Sequence, residues 1–149
     1  MRMFTLFTRT RCALLAMLAF APPSFAQDLY RGITKVEVFA NSTMVITPIQ
    51  AERYQLVIYR LDAMQSVENA INQVMPKTEA EAKAYFAANQ AEIKRRYGPA
   101  VINGANGLAL ARHYKLNRIP AMVVDGQSVV YGYTDVDQVI AMVQKHRGK

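Results

Sequence analysis

A single cysteine, Cys12, is all the thiol chemistry open to this 149-residue sequence, and it lies in a segment that carries the marks of removal. Arg2, Arg9 and Arg11 form a positive region, and Cys12 to Ala21 then runs ten residues without a charge. That run is too short to cross a bilayer, which takes about 20 apolar residues. Pro22 and Pro23 break any helix, and Ser24-Phe25-Ala26 sets small residues three and one positions before Gln27, as signal peptidase requires. Residues 1–26 are therefore expected to be a signal peptide cleaved after Ala26, and residues 27–149 a single periplasmic domain. A retained anchor would need an apolar extension that the prolines cut off, and a lipoprotein would need a small residue where Arg11 precedes Cys12. On this reading the exported chain has no thiol, which excludes disulfides, thiol catalysis and cysteine ligation of metal.

Other chemistry is scarce too. His113 and His146 are the only histidines, and neither has a metal-ligand partner four residues on. Gly98, Gly104 and Gly107 lie in GPAVINGANG, but no Lys-Ser/Thr follows to make a phosphate loop, so these small residues suit close helix packing. Ser42 and Thr43 have no neighbouring base to activate a hydroxyl. Repeats and low-complexity linkers are absent. Three of the 18 basic residues precede the cut and all 11 acidic ones follow it, which leaves a mildly basic domain of charge +4. Lys94, Arg95 and Arg96, with Arg112, Lys115 and Arg118, suit the ends of helices, and no interleaved aromatics suggest base stacking, so direct nucleic-acid contact is not expected. Tyr85, Phe86 and Tyr97 are expected in core or between helices. No catalytic, cofactor-binding or metal-binding residue is assigned, and no cofactor is expected.

What is present is a pattern of alternating elements. Lys35 to Phe39 alternates, with Val36 and Val38 on one side and Lys35, Glu37 and Phe39 on the other, as a strand does. Tyr54 to Leu61 is almost continuously apolar and predicts a central strand covered on both faces. Asp62 is placed to cap a helix whose apolar residues Met64, Val67, Ile71, Val74 and Met75 recur at three- and four-residue steps until Pro76. A second helix opens at Thr78, with Glu81 completing a capping box, and ends at Gly98. Pro99 starts a third stretch to about Tyr114, with a break near Asn103 left open. Ala121 to Val124 and Ser128 to Tyr131 are strands joined through the hairpin turn Asp125-Gly126. Thr134, with Asp137 three residues on, is expected to cap a last helix that buries Val136, Val139, Ile140 and Val143. The order predicts one α/β domain, a mixed sheet flanked by helices.

YKLNRIPAMVVDGQSVVYGYTDVDQVI, from Tyr114 to Ile140, resembles the carboxy-terminal half of the thioredoxin-like fold. There an Ile-Pro pair opens a strand, an Asp-Gly hairpin follows, a glycine comes after the next strand, and a helix closes the domain. The resemblance implies a thioredoxin-like mixed sheet with a helical insertion before the last hairpin and helix. It makes Pro120 a cis-proline whose loop, Ile119-Pro120, faces Asn41, Ser42, Thr43 and Met44, the region where catalytic members carry a Cys-X-X-Cys pair that is missing here. The stretches VEVF (36–39), GLALA (107–111), RIPAMVVDG (118–126) and VVYGYTD (129–135) are more closely similar to small exported proteins of integrating conjugative elements, a family of unknown function, and distantly to TrbC-type proteins of conjugative pilus assembly. That likeness implies a non-enzymatic assembly module in the cell envelope, with other proteins of a type IV secretion-like DNA-transfer apparatus as partners and no small-molecule substrate. A peptide-binding chaperone using the Pro120 loop is the alternative, and a thiol oxidoreductase the least favoured reading.

Overall fold

A computed structural model describes residues 28–148, so Cys12, the expected signal peptide and its cleavage point at Ala26 lie outside the described residues. Alternation along β1 (Lys35–Ala40) divides its side chains between two cores. Val36, Val38 and Ala40 enter one cluster, and Phe39 enters another on the opposite face. Four strands form one sheet in the order β2-β1-β3-β4, with β2 (Gln55–Arg60) parallel to β1. β3 (Ala121–Val124) runs antiparallel to β1 and to β4 (Ser128–Tyr131). This is the mixed α/β architecture expected from the sequence.

Helices cover both faces. α3 (Val136–Arg147) buries Val136, Val139, Ile140 and Val143 against Val36, Val38, Met122 and Val124, as its spacing predicts. On the other face, Phe39, Tyr59, Ala121 and Val123 meet Leu110, Ala111 and Tyr114 from the end of α2 (Glu79–His113) and just beyond it. Phe39, Ile46, Met122 and Ile140 are fully buried, and each contributes about 1.5–3 kcal/mol by leaving water. Ile46 also anchors the aperiodic stretch after β1, which Thr47 ties to the start of α3. Thr47 N–H donates to the Thr134 carbonyl at 3.0 Å, and Val136 N–H donates to the Thr47 carbonyl at 2.7 Å. The Asp125-Gly126 turn has positive φ at both residues, 51° and 69°, which Asp and Gly tolerate.

Four expectations need correcting. β2 is an edge strand, not a central one; it reads as buried because Leu56 and Ile58 pack on one core and Val57 and Tyr59 on the other. Asp62 occupies the N-cap position of α1 (Ala63–Val74), but its side chain makes no capping bond and turns back to Ser42. The second and third helical stretches are one continuous 35-residue helix, α2, with Pro99 inside it and no break at Asn103. Pro99 lies on the exposed side, where water can satisfy the freed Arg95 carbonyl. The cap of α3 is Asp135, which accepts from Gln138 N–H at 3.1 Å, because the Thr134 carbonyl is engaged by Thr47.

Candidate functional site

The carboxy-terminal ends of β1 and β2 and the start of β3 meet at one end of the sheet, the place where open α/β sheets most often bind ligands. There the chain leaves β1 through Asn41, Ser42, Thr43 and Met44. Two side chains clasp this loop. Arg60, the last residue of β2, donates from Nη1 to the carbonyls of Asn41 at 2.6 Å and Met44 at 2.9 Å, gripping both ends. Asp62 accepts the Ser42 N–H on both carboxylate oxygens at 2.9 Å and the Ser42 hydroxyl on Oδ1 at 2.9 Å. Thr43 Oγ1 donates to Asn41 Oδ1 at 2.8 Å and closes the turn from within.

The electrostatics reinforce the clasp. The Ser42 N–H holds the Asp62 carboxyl below its usual range, with the Ser42 hydroxyl and Arg60 adding to it against the opposing effect of burial. A carboxylate held low is a weak base, so Ser42 gains no activation from it. Among the described residues no three His, Cys, Asp or Glu side chains come together to hold a metal. His113 stands edge-on to Tyr114 in the last turn of α2, and His146 lies in the last turn of α3.

Sheet register puts Ile119 and Pro120 at this same end, one step before the Phe39↔Ala121 pair. The Ile119–Pro120 bond is cis, and the Pro120 carbonyl accepts from Gly132 N–H at 2.9 Å. No hydrogen bond among the described residues joins this loop to residues 41–44, which lean toward β2 and α1 instead. Asp125 and Gly126 lie at the opposite end. Asp125 accepts from Thr34 N–H and Oγ1 at 2.8 Å, from Lys35 N–H at 3.0 Å and from Arg147 at 3.1 Å, so it binds the start of β1, the hairpin and the end of α3 together. Burial works to raise its pKa, and these hydrogen bonds outweigh it and lower it.

Beside the clasp, a cleft of about 330 Å³ opens between α1 and α2, lined by Ser42, Arg60, Val67, Tyr97, Ala100 and Asn103. Gly104 and Gly107 bring α2 close enough to form it: a Cβ on Gly104 would stand 3.1 Å from Ala63, and one on Gly107 would stand 2.7 Å from Tyr59 Cβ. Gly98 has nothing within 4 Å and plays no such part. A second groove of about 620 Å³ runs between Met64, Ile71, Val101 and Leu108, all apolar and only partly covered. Of the basic residues, Arg95 pairs with Glu92 at 2.7 Å, Arg96 stacks on Tyr97 at 5.4 Å and Arg118 on Tyr131 at 4.9 Å. Phe86 remains 44% exposed, while Tyr85 and Tyr97 are half-buried along α2.

Residue types alone did not single out Arg60, Asn103 or Glu37. Glu37 is buried on β1 and accepts from Tyr114 Oη at 2.7 Å and Lys35 Nζ at 2.8 Å, with Tyr59 Oη at 3.5 Å. Its signal was present: a lone acid inside an alternating apolar strand needs donors, and only the fold supplies them. No helix among the described residues is long and apolar enough to cross a membrane. No curated protein and no solved structure matches the chain. The family described as "Protein of unknown function (DUF1525)" matches residues 33–149, and the chain belongs to that family.

Proposed function

We propose that this protein is an exported, non-enzymatic component of the DNA-transfer apparatus of an integrating conjugative element, acting there as a protein-interaction or assembly module. The observation that carries the non-enzymatic part is the clasp at the end of β1. Arg60 and Asp62 spend their hydrogen bonds on holding Asn41 to Met44 in place, and the hydroxyl they hold has no base to activate it. Partly exposed apolar side chains along α1 and α2, Met64, Val74, Phe86 and Leu108 among them, supply contact surface of the kind a binding module uses. The conjugative setting and the periplasmic location rest on the resemblance of residues 36–39, 107–111, 118–126 and 129–135 to exported proteins of such elements.

Mating frequency tests the reading: a donor with a clean in-frame deletion is compared with the same donor complemented from a plasmid. A fall of orders of magnitude that the plasmid reverses is the expected result. Unchanged transfer removes the assembly role, and reduction of insulin by the purified protein would remove the non-enzymatic one.

A further inference from the structure

The sheet has two outer strands, β2 and β4, and their free edges are treated differently. On β2 the side-chain amide of Asn103 stands in for a neighbouring strand: it accepts from Arg60 N–H at 3.0 Å and donates to the Ile58 carbonyl at 2.9 Å. On β4 the register pairs Val130 with Met122 and Val129 with Val123, and Gly132 N–H donates to the Pro120 carbonyl at 2.9 Å. In an antiparallel ladder this phase turns the main-chain groups of Val130 toward β3 and those of Val129 and Tyr131 outward. Among the described residues nothing hydrogen-bonds to those outward groups. Edge strands are normally guarded by charge, proline or a bulge, and Ser128-Val129-Val130-Tyr131 has none of these. Val129 is 38% exposed, and a groove of about 500 Å³ lined by Val130, Met142 and His146 lies beside the strand.

We propose that β4 pairs with β4 of a second copy, antiparallel about a two-fold axis, and joins two four-stranded sheets into one. The outward groups are self-complementary about Val130, so Val129 of each copy exchanges hydrogen bonds with Tyr131 of the other. That register sets a β-branched side chain across from an aromatic one, a pairing that stabilises sheets. Val130 then faces its own counterpart, and the uncharged strand brings no like charges together. A row of bare main-chain donors and acceptors calls for another extended strand, and a second copy of β4, matched about Val130, supplies one.

Sedimentation equilibrium from micromolar to millimolar chain, combined with amide exchange by NMR, tests the pairing. The expected result is a concentration-dependent dimer in which the Val129 and Tyr131 amides slow in step with association. Val129→Pro deletes an N–H that its own ladder does not use and should weaken the dimer by about tenfold or more. Val129→Lys adds the guard the edge lacks and should do the same, with the Met122 and Val130 amides still slow as evidence of an intact hairpin. The proposal is overturned by a monomer at every concentration, or by a dimer in which both amides exchange freely. Slow exchange of both amides in a species that sediments as a monomer also overturns it, because a segment of the same chain would then occupy the edge.

Discussion

Gly107 sits where no side chain fits. A β-carbon there would meet Tyr59 Cβ at 2.7 Å and Leu61 Cδ2 at 2.9 Å, so Gly107→Ala is expected to cost about 1–3 kcal/mol through overpacking. Gly98→Ala meets nothing beyond its chain neighbours, but its Cβ would press on the ring of Pro99 within the helix, which offsets the usual gain of about 1 kcal/mol from replacing glycine, and the change should be near neutral. Urea unfolding of the two variants separates the overpacked site from the open one. Tyrosine hydroxyls give a second contrast. Tyr114 is pushed up to about 12, first by its hydrogen bond to Glu37 and then by burial, whereas Tyr54 is pushed to about 12 by burial first and its hydroxyl has no partner among the described residues. Tyr114→Phe strips a donor from a buried carboxylate and should cost about 1.5–3 kcal/mol, whereas Tyr54→Phe removes an unsatisfied hydroxyl and should be neutral or stabilising. Both folded values lie above the unfolded one near 10, so the stability these groups carry is whole below about pH 10 and is lost as pH rises toward 12. Ultraviolet titration should show at least two of the eight tyrosines ionising late, and thermal melts should fall over the same interval. None of this was legible residue by residue. The alternation of residues 35–39 puts Glu37 on the face opposite the valines, beside its donor Lys35, but its other donors come from Tyr59 and, 77 positions away, from Tyr114.

Elements are most legible in the sequence where apolar side chains repeat and least where small ones do. The stripe of α2 that faces inward runs Ala82, Asn89, Ala100, Gly104, Gly107 and Ala111, with Tyr85, Ile93 and Tyr97 between them, at steps of three and four throughout. Small residues in that stripe carry no hydrophobic signal, so Gly98-Pro99 reads as a boundary although the helix runs through it. α3 is legible because Val and Ile mark every buried position, and β3 and β4 because two short apolar runs flank the Asp125-Gly126 turn. Edge and centre, by contrast, cannot be told apart by apolarity when helices cover both faces of an outer strand, and β2 reads as central for that reason although it lies at the edge. Asn103 shows what the placement demands. Asn103→Leu keeps the approximate volume but leaves the Ile58 carbonyl and the Arg60 N–H unpaired, at an expected cost of about 2 kcal/mol in denaturant unfolding. A loss below about 0.5 kcal/mol would mean that water closes this edge as well as the side chain does.

For the whole molecule, the reading of the first 26 residues makes a direct prediction. Cell fractionation should recover the protein from the periplasm, and amino-terminal sequencing should begin at Gln27. A chain that begins at Met1 in the cytoplasm would remove the export assignment and with it the compartment assumed for every partner. The overall architecture was legible because each layer announces itself, strands by alternation and helices by stripes, while the joining of two helices into one was not. That joining sets the size of the molecule. At about 1.5 Å per residue, the 35 residues of α2 make a rod of about 52 Å, whereas a compact domain of about 120 residues, with a radius of gyration of about 14 Å, is only about 35 Å across. The longest axis of the protein is thus its helix and not its sheet. It should tumble anisotropically in solution, turning slowest end over end, and amides along α2 should relax at rates distinct from those of strands lying across that axis.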